Sequence, residues 1–160
     1  MDHPVGAMVR IMQIIVIALA TGVVIFGGVA FANAPEPDVG SPLVVVGVGF
    51  AIVALAGRIV APMAIGNRQR RAISHDSWKA MSDARRDEQL CSILQVGTLV
   101  GGAIPEGAAM LCLVAYMQSG QIVCFAAAVV MLIAILSLLP TQAGVGHWIE
   151  RQKQIIELGH

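Results

Sequence analysis

The sequence predicts an all-α integral membrane protein with four transmembrane helices and an amphipathic C-terminal interfacial helix, forming one domain over residues 1–160. Three observations carry this. Hydrophobic residues make up 57% of the chain and charged residues 12%, against ~45–50% and ~25% in soluble domains. The apolar residues are gathered into four long runs rather than dispersed. All ten Lys and Arg residues also fit a single orientation in a bilayer. A soluble fold of this size has too little interior to cover so much apolar surface, and lipid is the available cover.

The runs are residues 11–32, 43–65, 91–117 and 122–139. A helix rises ~1.5 Å per residue, so crossing a ~30 Å hydrocarbon core takes about 20 residues. The first three runs reach that length and the fourth is just long enough. Many of these residues are Val and Ile, which favour strands in water. Lipid reverses the preference, because every backbone polar group must be satisfied within the segment.

The connections fix the topology. Residues 33–42 form a Pro/Gly loop with Glu36 and Asp38 and no Lys or Arg. The long connection 66–90 carries Arg68, Arg70, Arg71, Lys79, Arg85 and Arg86. Residues 118–121 are a turn around Ser119-Gly120, so the last two helices form a tight hairpin. The tail after Pro140 holds Arg151 and Lys153. Lys and Arg are retained on the cytoplasmic side, which places both termini and the long loop there. Arg58, about two turns from the inner end of the second helix, can snorkel the same way. Ala32-Asn33-Ala34 has the form of a signal-peptidase site. The preceding apolar run exceeds the usual ~7–15 residues and Pro35 follows the site, so an uncleaved first span is expected.

Two amphipathic stretches flank the spans. In the long loop, Ser74 is a candidate N-cap for a short helix, with Asp76 in its first turn and Arg85 and Arg86 late. Trp78 and Met81 on it suit the lipid interface. In the tail, 143–158, the spacing of Val145, Trp148, Ile149, Gln152, Ile155 and Ile156 predicts a helix lying under the membrane with Trp148 at headgroup depth. For both, anchoring to lipid is a simpler role than docking a soluble partner.

Composition also excludes functions. No basic face is interleaved with aromatics, and only two Trp, one Tyr and four Phe occur, so nucleic-acid binding is not expected. Cys91, Cys112 and Cys124 have no Cys-x-x-Cys spacing, and the latter two lie in apolar runs, where a thiol behaves as a small hydrophobe. His3, His75, His147 and His160 are scattered, so no metal site is read. No nucleophile–base pair or phosphate loop is present, and neither an enzyme activity nor a cofactor is expected.

One residue stands out. Glu106 lies in the third run, ~22 Å along the axis from Cys91, near or somewhat beyond mid-bilayer. A carboxyl group there costs about 2.5–3.5 kcal/mol to insert and is by default a functional candidate. Pro105 cannot donate to the carbonyl of Gly101, which predicts a kink beside it. Gln95, Gly102, Glu106 and Ala109 share one helical stripe. Gly97, Gly101 and Ala108 form a small-residue stripe alongside, suited to close helix approach. Glu106 is therefore expected to face helices rather than lipid, with Arg58 as its possible charge partner ~10 Å nearer the cytoplasm. Gln13, Thr21 and Ser137 are other polar side chains in the spans. Two roles stay open: a protonated hydrogen-bond donor holding helices together, worth ~0.6–2 kcal/mol, or a proton or cation site.

The stretch IPEGAAMLCLVAY, residues 104–116, resembles the carboxylate helix of rotary ATPase proteolipid (c-type) subunits. The preceding span with Gly47 and Gly49, and the basic connection with Arg68-Gln69-Arg70, are similar too. The resemblance covers the second and third spans and implies that Glu106 matches the family's ion-binding acid in an oligomeric ring. The long loop, the odd-numbered position of the acid helix, the first span and the amphipathic tail depart from that family. Residues EGAA…VAY, Pro140-Thr141 and Trp148-Ile149-Glu150 more closely resemble small four-helix bacterial membrane proteins of unknown function, which implies a bacterial inner membrane and brings no activity with it. The expectation is a structural or accessory subunit of a membrane complex, in the lipid bilayer and in contact with further copies or other subunits. The alternative is a proton- or cation-translocating subunit working through Glu106.

Overall fold

The computed structural model describes residues 4–38, 40–72 and 81–157, and among them every regular element is a helix. They are α1 (Pro4–Ala32), α2 (Pro42–Ala72), α3 (Asp83–Ser119), α4 (Ile122–Leu136) and α5 (Gln142–Glu157). Pro4 and Pro42 open their helices, where a missing N–H costs nothing. Gly6–Ala32, Pro42–Arg68 and Arg85–Ser119 are each long and apolar enough to cross a membrane.

α3 is the spine. Against it α2 runs antiparallel: a Cβ built on Gly47 would lie 3.3 Å from that of Ala115, one on Gly57 3.8 Å from Ile104, and one on Gly101 3.4 Å from Pro62. α1 runs parallel to α3, with Leu19 against Gly102, Gly22 against Glu106 and Met110, and Gly27 against Leu113. The main core is correspondingly built from small side chains, among them Ala20, Ala51, Ala54, Ala108, Ala109 and Cys112. Small residues let helices approach closely where no water-driven force presses them together.

The α3–α4 hairpin closes at Gly120, whose φ of 62° is left-handed and whose N–H bonds Tyr116 O at 2.8 Å. Only glycine holds that conformation without cost. The α1–α2 loop docks here through Asp38 N–H to Ser119 O, 2.7 Å. The rings of Tyr116 and Phe125 lie 5.1 Å apart across the hairpin.

The structure corrects two expected boundaries. The fourth run does not form an 18-residue span: α4 has 15 residues, ~22 Å of helix against a ~30 Å core. It unwinds into tighter turns, with Leu138 N–H on Ile135 O and Leu139 N–H on Leu136 O, and Pro140 has no N–H to carry the ladder on. The long loop is shorter than 66–90, because α2 continues to Ala72 and α3 starts at Asp83. No Gly or Pro separates Asp83 from the apolar run, so extending an existing helix costs less than nucleating a separate one. Ser74, Asp76 and Trp78 lie outside the described residues.

The tail is helical as expected. α5 packs against α1 and α3. Its Val145 and Ile149 are buried with Val9 and Met12 of α1 and Leu90, Cys91 and Ile93 of α3 in a second core. Lys153 pairs with Asp87 at 2.6 Å. From Gly101 to Asp87 is fourteen residues of α3, and from their partners Leu138 to Lys153 is fifteen. The register thus continues across the break, and α4 and α5 together make one interrupted leg running antiparallel beside α3. Val145 and Ile149 of the amphipathic stripe are thus buried on protein, while Trp148, Ile155 and Ile156 are half-buried.

Candidate functional site

The polar groups of the apolar segments concentrate where the fourth leg breaks. Gln13 Nε2 donates to Pro140 O at 2.9 Å, tying α1 to the break. Arg58 Nη2 donates to Ser137 Oγ, and Ser137 Oγ donates to Ala134 O at 2.9 Å. A guanidinium at the C-terminal end of α4 also meets the negative end of that helix's dipole. On α3, Cys112 Sγ donates to Gly47 O at 3.3 Å, tying it to α2, while Thr98 Oγ1 bonds Leu94 O at 2.9 Å and faces Met12 Sδ at 3.8 Å.

Glu106 is half-buried rather than enclosed. Its Oε1 lies 3.8 Å from where a Cβ on Gly22 would be, so the carboxyl group rests against a bare stretch of α1. It makes no hydrogen bond or ion pair among the described residues. Gly102 is on the same side, where a Cβ would meet Leu19 at 3.0 Å. Pro105 is fully buried and α3 continues through it as helix. Gly97 and Gly101 face Pro62 of α2, away from Glu106. Gln95, half-buried, sits nearly two turns below Gly102.

Arg58 is not the partner of Glu106. Gly57 faces Ile104, so Arg58 is within about one turn, ~4–5 Å, of the Glu106 level rather than ~10 Å below it. It is turned towards α4, while Glu106 is turned towards α1. Height alone, which spacing along single helices gives, does not tell two sides of a bundle apart.

Trp148 is half-buried and lines a cavity of about 290 Å³ with Pro62, Gly66, Gly97, Thr98 and Leu138, beside the break in the fourth leg. It therefore meets protein on one side. Trp78 lies outside the described residues. A larger, almost wholly apolar groove of about 440 Å³ runs between α1 and α4, walled by Val23, Gly27, Phe31, Phe125, Ala128 and Leu132. Among the described residues no three His, Cys, Asp or Glu side chains come together as a metal site.

Sequence reasoning missed the Gln13–Pro140 tie and the Asp87–Lys153 pair. Gln13 was visible as an isolated amide in an apolar run, which demands a partner. The identity of that partner, 127 positions away, requires the tertiary register. No family model, no curated protein and no solved structure matches the chain.

Proposed function

We propose that this chain is a non-catalytic, membrane-embedded structural or accessory subunit of a membrane complex, with both ends and the basic connection on the cytoplasmic side. The observation that supports this best is the use of the polar groups: Gln13, Arg58 and Cys112 each fasten one leg to another. Such bonds are worth about 0.6–2 kcal/mol each in a bilayer, enough to fix helix order in a bundle with little else to specify it. The orientation rests on the Lys and Arg distribution. A bacterial inner membrane is part of the same proposal and rests on the sequence resemblance alone. The test is the particle that a tagged chain forms when native membranes are dissolved into polymer discs. Partners in fixed proportion support the reading; a lone monomer from every preparation contradicts it.

A second reading is favoured by one observation, the unpartnered carboxyl group of Glu106. Under it, Glu106 binds and releases a proton or cation, as the likeness of residues 104–116 to proteolipid subunits implies. Carbodiimide labelling of Glu106 in membranes between about pH 5 and 9 separates the two, since the reagent attacks protonated carboxyl groups in apolar surroundings. Protection by sodium supports ion binding. Labelling indifferent to sodium, with no proton uptake by reconstituted vesicles, removes it.

A further inference from the structure

We propose that the open face of α3, bordered by Glu106, is the docking groove for a transmembrane helix of another protein that carries a lysine or arginine at matching depth. The inference rests on the accessory-subunit reading and names its contact.

The groove follows from how three legs pack. α1 and α2 both lie extensively on α3 but hardly on each other. Between them Leu99, Ala103, Gly107 and Val114 of α3 stay exposed, and their spacing of four, four and seven puts them on one stripe. A Cβ added at Gly107 meets nothing within 4 Å, and Ala103 one turn away is small and exposed. The floor of the groove is thus low enough for another helix backbone to approach.

Glu106 supplies the chemistry. It lies at the edge of this stripe, half-buried and, among the described residues, without a polar partner. It is thirteen residues from Ser119, ~20 Å along α3, which leaves ~10 Å of a ~30 Å core on the side of the basic connection and puts it on the cytoplasmic side of the midplane, not beyond it as the count from Cys91 predicts. A carboxyl group at that depth demands a donor, and a cation satisfies it best.

The chain cannot supply that cation to a second copy of itself. Within residues 11–32, 42–67, 91–119 and 122–139 the only charged side chains are Arg58 and Glu106. Arg58 is held by Ser137 on the side facing α4. A two-fold dimer through this face would bring one Glu106 against the other, because such a contact repeats the same patch. Charge complementarity therefore selects a different chain.

The test uses the full chain in phosphatidylcholine vesicles, with a fluorescent synthetic Leu/Ala transmembrane helix carrying one lysine about 20 Å from one end. The comparison peptide has leucine there. Energy transfer should report association roughly tenfold tighter for the lysine helix, corresponding to the ~1.4 kcal/mol expected of one such contact. Glu106→Gln should abolish the preference. Gly107→Leu, which fills the floor and leaves the acid, should weaken both peptides. Equal binding of the two peptides, or a lysine preference that survives Glu106→Gln or a Gly107→Leu chain that binds as wild type, overturns the proposal. Thermal unfolding of each variant confirms that the bundle is intact. A chain that forms a fixed complex in native membranes but shows no lysine preference loses the groove and keeps the accessory role. One that prefers the lysine helix yet isolates alone loses the accessory role and keeps the groove.

Discussion

Gly120→Ala is expected to destabilise the bundle by about 2–3 kcal/mol, from two separable causes. The residue sits at φ 62°, and an L side chain there costs about 1–2 kcal/mol relative to glycine. The added methyl would also enter the space of the Pro35 carbonyl oxygen and reach 3.0 Å from the Glu36 backbone. Backbone cannot rotate away as a side-chain end can, so the α1–α2 loop must lift. Lifting it breaks the 2.7 Å bond from Asp38 N–H to Ser119 O, worth about 0.5–1.5 kcal/mol. The assay is unfolding in mixed micelles followed by far-UV ellipticity. Gly28→Ala is the control: a Cβ there meets nothing within 4 Å, and a helical Gly→Ala change is neutral or stabilising by up to about 1 kcal/mol. A Gly120→Ala chain within ~0.5 kcal/mol of wild type, or a Gly28→Ala chain equally damaged, refutes the reasoning.

Further outcomes follow from the same packing. Ile149→Ala, at 5% exposure in the second core, should cost about 2–5 kcal/mol locally and expose α5 to protease before the spanning helices unfold. Lys153→Gln removes an ion pair whose side chains are 29% and 28% exposed, so the loss should stay below about 1 kcal/mol and shrink in high salt. Gln13→Leu should cost about 0.6–2 kcal/mol by releasing Pro140 O, read as a lower unfolding midpoint. Arg58→Met should fall within ~1 kcal/mol of wild type, because Ser137 Oγ keeps its bond to Ala134 O.

Local signals in the sequence account for part of this architecture. The apolar runs locate α1, α2 and the upper part of α3, and Ser119-Gly120 marks the hairpin, because length and turn chemistry act over a few residues. The course of α5 was not legible. Val145, Ile149 and Ile156 make one apolar stripe, and such a stripe fits a membrane surface or a neighbouring helix equally well. Pro140 announces a break, but not that the chain resumes in the same register. The site divides in the same way. Spacing along α3 puts Gly102 and Glu106 on one side and Gly101 on another, and the structure turns those sides to α1 and α2. Arg58 and Ser137 are 79 positions apart, and their meeting depends on how two legs slide against each other. No periodicity within either segment encodes that.

The upper part of α3, with Glu106, is expected to lie in the membrane while its first turns stand clear of it. Nitroxide accessibility tests this most directly. Single cysteines at Arg85, Ser92, Ala103, Gly107 and Val114 would be introduced with Cys91, Cys112 and Cys124 replaced by alanine, and the labelled chains reconstituted in vesicles. All five positions are exposed on the protein surface, so differences among them report the solvent around them. A water-soluble nickel complex should reach positions 85 and 92, while oxygen, concentrated in lipid, should dominate at 103, 107 and 114. Nickel access at 103 and 107 equal to that at 85 would place Glu106 in water and contradict both the proposed function and the docking groove.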